Sequence, residues 1–132
     1  MNKILVPLFS LMMSFNAYGE WTWVVEGEPN NNNVRTGYVD FDSVKINGNV
    51  YHWELQDLLK PDQFGDLSVK ILFESDCNTP RKFRILSQLY YTQPMGEGST
   101  STTINKPSDW NYIVSDSVRE ITSNRVCDYA NQ

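Results

Sequence analysis

Apolar and polar residues alternate with a period of two along most of this chain, which is the pattern of β-strands with one buried face. The alternation predicts about six strands, at residues 21–25, 37–45, 50–58, 68–77, 82–92 and 110–114, with 99–103 as a thin edge strand. Asn47-Gly48 is typical of a tight hairpin turn, because both residues tolerate positive φ. Polar residues with turn-forming Pro, Asn and Gly predict loops at 28–33 and 60–66.

The third predicted strand has two chemically different faces. Its apolar positions are Tyr51, Trp53 and Leu55, and its polar positions are His52, Glu54 and Gln56. We therefore expect one face in the core and the other in water. The fourth and fifth strands carry apolar residues on both faces, which predicts a central place in the sheet.

Near residue 115 the period changes from two to about 3.6, which predicts a helix of three to four turns at the C-terminus. Ser117 followed by Glu120 fits a capping box. Asp116 is well placed for the positive end of the helix dipole. Cys127 lies in the last turn of this helix.

The first nineteen residues have the composition of a secretory signal peptide. Lys3 provides the positive charge, residues 4–15 are mainly apolar, and residues 17–19 fit a small-x-small cleavage site. We expect a signal peptide at 1–19 and a single domain at 20–132. The apolar stretch is too short to span a bilayer, and no cysteine stands at the cleavage site to carry lipid. The expected location is therefore the periplasm or the cell surface.

The charge of the chain limits the classes of partner that it can bind, and its cysteine content predicts a disulfide. The chain has 11 basic and 16 acidic residues, and an acidic balance disfavours nucleic acid and anionic lipid as partners. In an oxidising compartment its two cysteines, Cys77 and Cys127, are expected to form a disulfide. Closing a loop of roughly 50 residues is worth about 4 kcal/mol in the chain-entropy model.

The sequence does not predict an enzyme, a cofactor or a metal. His52 is the only histidine, and a lone histidine on a polar strand face is expected at the surface. Asp40 with Asp42, and Glu74 with Asp76, could hold a cation or act as acid and base, but alternating carboxylates near turns are more often solvated, and too few further oxygen ligands lie nearby.

One basic cluster and many aromatic residues suggest binding instead. Arg81, Lys82 and Arg84 follow the predicted disulfide turn. Their charges either serve solubility and protect a strand edge, or contact an acidic partner. Aromatic residues left exposed on the sheet would form a recognition surface.

An ordered set of short motifs resembles the surface-adhesin protein E family. The matching residues are Tyr38-Val39-Asp40 with Ser43, the hairpin into 50–55, Ser68 and Lys70, Glu74 and Asp76-Cys77, Arg84 and Leu86, Tyr91, Met95-Gly96-Glu97-Gly98, Trp110 and Tyr112-Ile113-Val114, Ser117, and Cys127. The resemblance covers nearly all of the chain after residue 20.

This resemblance implies an α+β, mainly β fold: a single curved antiparallel sheet of about six strands, with the C-terminal helix tethered to its concave face by the disulfide. It also implies a non-catalytic bacterial surface protein that binds host matrix or serum proteins, and a homodimer formed through the sheets. Two alternatives stay open: a periplasmic structural or assembly protein of the envelope, and a small-ligand carrier that uses the space between helix and sheet.

Overall fold

The computed structural model describes residues 20–30 and 33–132. The predicted signal peptide at 1–19 lies outside the described residues. The strands are β1 (Thr22–Asn30), β2 (Asn33–Asn47), β3 (Asn49–Leu58), β4 (Ser68–Asp76), β5 (Lys82–Tyr91), β6 (Thr100–Ile104) and β7 (Asn111–Tyr112). One turn of 3₁₀ helix covers Pro94–Gly96, and helix α1 runs over Val118–Ala130.

The described strands form one antiparallel sheet in the order β1-β2-β3-β4-β5-β6. β7 lies off this path and pairs with the start of β5, through Lys82 and Phe83. Strands β1 to β6 therefore lie side by side in the order in which they occur along the chain, and only β7 departs from that order. The mainly β fold with a single C-terminal helix is confirmed.

The first hairpin is longer than the sequence predicted. Residues 28–30 belong to β1 and Asn33 begins β2, so the loop expected over 28–33 is wrong except at 31 and 32, which lie outside the described residues. The pairing continues from Gly27 and Arg35 to Asn30 and Asn33. Backbone hydrogen bonds alone sustain such a ladder, so it can extend past the last apolar side chain.

Helix α1 packs across β1, β2 and β3. Val126 is fully buried in one cluster with Val24, Val39 and Val50, one valine from each of these strands. Cys127 follows in the same turn and forms the predicted disulfide with Cys77 just after β4, with a Cα–Cα distance of 5.8 Å. The space beneath this part of the helix is therefore filled by side chains.

The predicted cap begins the helix. The Ser117 hydroxyl accepts a hydrogen bond from the Glu120 backbone N–H at 3.1 Å, and the Glu120 carboxylate accepts one from the Asp116 N–H at 3.1 Å. The capping interaction is confirmed, but the Glu120 carboxylate bonds to the N–H of Asp116 and not to that of Ser117, as a standard capping box would have it.

The prediction for the faces of β3 is wrong in one respect. His52 and Glu54 are only 1% and 2% exposed, because they lie on the face that α1 covers. The apolar positions Tyr51 and Trp53 lie on the other face and are partly exposed. No helix within the described ranges is long and apolar enough to cross a membrane.

Candidate protein-binding face and buried ionic cluster

The sheet has one face that α1 does not cover, which we call the open face. Strand register places its side chains in rows that run across the sheet. One row contains Trp23, Tyr38, Leu55, Lys70 and Leu89. The next row contains Asp40, Trp53, Leu72 and Ser87.

Aromatic and aliphatic groups on the open face remain accessible to solvent. Trp23 is 57% exposed, and Tyr38, Trp53 and Leu72 are partly exposed. Large apolar groups with a polar atom are the side chains that most often anchor protein interfaces. The open face therefore has the composition of a recognition surface.

The 3₁₀ turn at Pro94–Gly96 covers one end of the open face. The Met95 N–H donates to Asp57 at 2.7 Å, and the Gly96 N–H donates to the Ser68 hydroxyl at 2.8 Å. Leu55 beneath the turn is fully buried. Gly96 has a φ of +68°, which favours glycine, and a Cβ at this position would also lie 2.5 Å from the flexible end of Lys70, which would have to move aside.

A buried carboxylate organises the opposite end of the open face. Glu74 is 5% exposed and accepts hydrogen bonds from Asn49 at 2.9 Å, Tyr51 at 3.1 Å and Arg84 at 2.7 Å. Burial alone would raise the pKa of Glu74, but these hydrogen bonds and the Arg84 charge hold it below its ordinary value. The hydrogen bond to Glu74 raises the pKa of Tyr51. These side chains are thus fixed in place before any partner arrives.

The structure separates the predicted basic cluster into two parts. Lys82 and Arg84 lie on the open face, and both approach the ring of Trp110, at 5.0 and 4.8 Å from its centroid. Arg81 instead donates to the Cys77 carbonyl and to Asn124 of α1. Lys82 and Arg84 are thus held beside an aromatic ring, while Arg81 connects the sheet to the helix.

On the helix side, Glu54 is the centre of a buried ionic cluster with His52 and Arg119. The Arg119 guanidinium donates two hydrogen bonds to the Glu54 carboxylate, at 2.5 and 3.0 Å. His52 Nε2 lies 2.8 Å from the same carboxylate. The Arg119 guanidinium also lies 4.2 Å from the centre of the Phe73 ring, on which the His52 ring stacks.

The cluster keeps Glu54 ionised. Burial alone would raise the pKa of Glu54, but the charge of Arg119 and the hydrogen bond with His52 lower it to about 2. A carboxylate that is ionised at neutral pH cannot serve as a general acid there. The arrangement instead fastens the first turn of α1 to β3.

Sequence reasoning missed this cluster because Glu54 and Arg119 are 65 residues apart. The helix pattern pointed away from it, because Val118 and Ile121 recur at the spacing of a buried apolar face but are 45% and 49% exposed. Polar residues of α1 face the sheet instead of these two apolar residues. A strand with a polar face must therefore lie opposite them.

The carboxylate pairs that the sequence singled out are not part of a larger group of potential ligands among the described residues. Asp40 accepts a hydrogen bond from the Asp42 N–H at 3.1 Å, within an irregular part of β2. Across residues 20–30 and 33–132, no group of three or more His, Cys, Asp or Glu side chains is arranged to hold a metal ion.

The antiparallel sheet, the C-terminal helix and the disulfide define a small, mainly β domain in which a covalent bond holds the helix to the sheet. The family model described as surface-adhesin protein E matches residues 21–128, so the chain belongs to that family. No curated protein and no solved structure matches the chain. Membership in an adhesin family implies a role in binding rather than in catalysis.

Proposed function

We propose that this protein is exported by a signal peptide at residues 1–19 and binds a protein partner, a host matrix or serum protein, through the open face. The single observation that carries the proposal is the exposed Trp23, at 57%, in a row with the partly exposed Tyr38. Membership of the surface-adhesin family supports the same function.

Rigidity is the physical basis of the proposed binding. The open face belongs to a continuous antiparallel sheet, and Glu74 holds three neighbouring side chains in place. A surface that is ordered before binding loses less conformational entropy when it binds. Strong binding is therefore attainable with few flexible contacts.

The basic side chains suggest which part of the partner lies at this end of the face. Lys82 and Arg84 are held beside Trp110, which leaves the charge of Lys82 unneutralised, since no described carboxylate forms a salt bridge with it. We propose that these two residues, with Arg81 at the margin, contact an acidic segment of the partner. Their electrostatic contribution is expected to act mainly on the association rate.

The binding test uses the purified protein against immobilised matrix and serum proteins. Trp23→Ala should weaken binding at least tenfold, because it removes an aromatic anchor of the face. Phe64→Ala is the matched control, since Phe64 is 78% exposed but lies on the connection between β3 and β4, outside the open face. Equal loss of binding in both variants, or no loss in either, would contradict the proposal.

The charge test uses Lys82→Gln, which should slow association and reduce its dependence on salt. Arg125→Gln removes one positive charge from α1 and should leave both properties unchanged. The family resemblance also implies a homodimer formed through the sheets, which would cover the same face. These measurements should therefore be made at concentrations where sedimentation shows a monomer.

Protease treatment of intact cells distinguishes a surface protein from a periplasmic assembly protein. A surface adhesin should be cleaved by external protease, whereas a protein that stays protected until the outer membrane is opened would overturn the adhesin proposal. That second outcome would favour a partner in the bacterial envelope.

A further inference from the structure

A groove of about 700 Å³ lies on the helix side of the sheet, beyond the first turn of α1. We call it the corner groove. Leu58, Tyr90 and Ile104 supply its apolar surface, and the connection between β3 and β4 forms one border. The volume lies within the range of small-ligand sites.

The β2 side of the corner groove carries positive charge. Arg35 donates one hydrogen bond to the neutral amide of Gln56 at 2.9 Å. No carboxylate among the described side chains forms a salt bridge with Arg35. Lys60 lines the groove nearby and is tied through its backbone to Asn33 at the start of β2. The guanidinium therefore keeps free donors for an anionic group.

The other side of the groove carries negative charge. Asp66 is 3% exposed, and its carboxylate accepts a hydrogen bond from the Ser101 hydroxyl of β6 at 2.6 Å. Asp62 accepts two backbone N–H groups of its own turn, at 2.9 and 3.0 Å. Neither aspartate forms a salt bridge within the described part of the chain.

Tyr90 lies between the two charged sides. The pKa of Tyr90 is raised, chiefly by burial, while Arg35 lowers it and the two aspartates raise it. Its hydroxyl is therefore within the electric field of both sides. A groove with opposite, uncompensated charges at its two ends and an apolar surface between them is complementary to a zwitterion.

We propose that the corner groove binds a short peptide with free termini, with the terminal carboxylate on Arg35 and the terminal ammonium beside Asp62 and Asp66. The Arg35 guanidinium reaches Gln56 of β3 and the Asp66 carboxylate reaches Ser101 of β6, so about three strand spacings, about 14 Å, separate the two charges. An extended peptide of about four residues covers that distance. The site is independent of the proposed function, because the open face lies on the opposite side of the sheet.

The experiment titrates the purified protein with tetra-alanine and follows backbone amide signals by NMR. Wild-type protein should bind tetra-alanine, and either N-acetylation or C-amidation of the peptide should weaken binding about tenfold, since each removes one charge-assisted contact. The shifted signals should belong to residues that line the corner groove.

Two variants assign the ends of the peptide. Arg35→Gln should lose about tenfold in affinity and should no longer distinguish the C-amide from the free acid. Asp62→Asn keeps the oxygen that accepts the turn hydrogen bonds. It should distinguish the free peptide from the N-acetyl peptide less than wild type does, since Asp66 alone then faces the ammonium. Arg125→Gln, which removes a charge from the exposed surface of α1, should behave as wild type.

The proposal is overturned if the three peptides bind equally, if none binds at millimolar concentration, or if the shifts map to the open face. Binding of dodecanoate that is as tight as that of the peptide and indifferent to Asp62→Asn would also overturn it, in favour of an anionic lipid chain. The blocked peptides test wild-type protein, so the result does not depend on how a variant folds.

Discussion

The buried ionic cluster makes a strong prediction for Arg119→Met. Methionine fills much of the same space but removes the guanidinium that donates to both oxygens of Glu54. Glu54 is 2% exposed, so its carboxylate would stay buried with only His52 beside it. Removing one partner of a buried ion pair costs about 3 to 5 kcal/mol of unfolding free energy.

The pKa of Glu54 gives a second measure of the same interaction. Its value of about 2 in the folded protein, against an ordinary 4.5, corresponds to roughly 3 kcal/mol. Because the folded pKa is the lower one, this stability is fully present above pH 4.5 and is lost as the pH falls towards 2. In Arg119→Met the penalty of burial is no longer offset, so the pKa of Glu54 should rise. The loss of stability in acid should then shrink, and it should change sign where the folded pKa passes 4.5.

The assay is urea unfolding at pH 7, 4.5 and 2.5 for wild type, Arg119→Met, Glu54→Gln and the double variant. We expect Arg119→Met to cost much less in the Glu54→Gln background, with a coupling energy of about 2 to 3 kcal/mol. A cost below 1 kcal/mol for Arg119→Met at pH 7, together with an unchanged loss of stability in acid, would refute the reasoning.

Three further changes test other parts of the fold by the same unfolding assay. Replacing Cys77 and Cys127 by alanine should cost about 4 kcal/mol, and an unchanged thermal midpoint would show that packing alone holds the helix. Ser117→Ala should cost about 1 kcal/mol through loss of the helix cap. Gly96→Ala should cost somewhat more than Gly48→Ala, because both have positive φ but only at position 96 must a neighbour, the flexible end of Lys70, move aside. Equal costs would contradict this expectation and show that Lys70 moves without cost.

Local patterns predicted most of the architecture. The strand at Ser68–Asp76, the turn at Gly48 and the cap at Ser117 each depend on neighbouring residues, so the sequence states them directly. The disulfide could be predicted because only two cysteines were available to pair.

The burial of His52 and Glu54 could not be predicted in the same way. Alternation shows that β3 has two different faces, but which face the helix covers depends on contacts between distant residues. The aromatic face of β3 had the stronger apolar pattern, yet the helix packs on the face of His52 and Glu54, where Val126 joins a cluster of sheet valines and Arg119 pairs with Glu54. For the open face, the sequence predicted exposed aromatic groups without placing them in rows.

The two fastenings of α1 respond to different chemistry. A covalent bond holds the helix near its end and is indifferent to acid, whereas the ionic contact at its beginning withstands thiol reagents but weakens as Glu54 takes up a proton. Acid alone, or a reductant alone, therefore leaves one anchor in place. Loss of both anchors requires acid and a reductant together, which gives this small scaffold a tolerance that neither anchor could supply by itself.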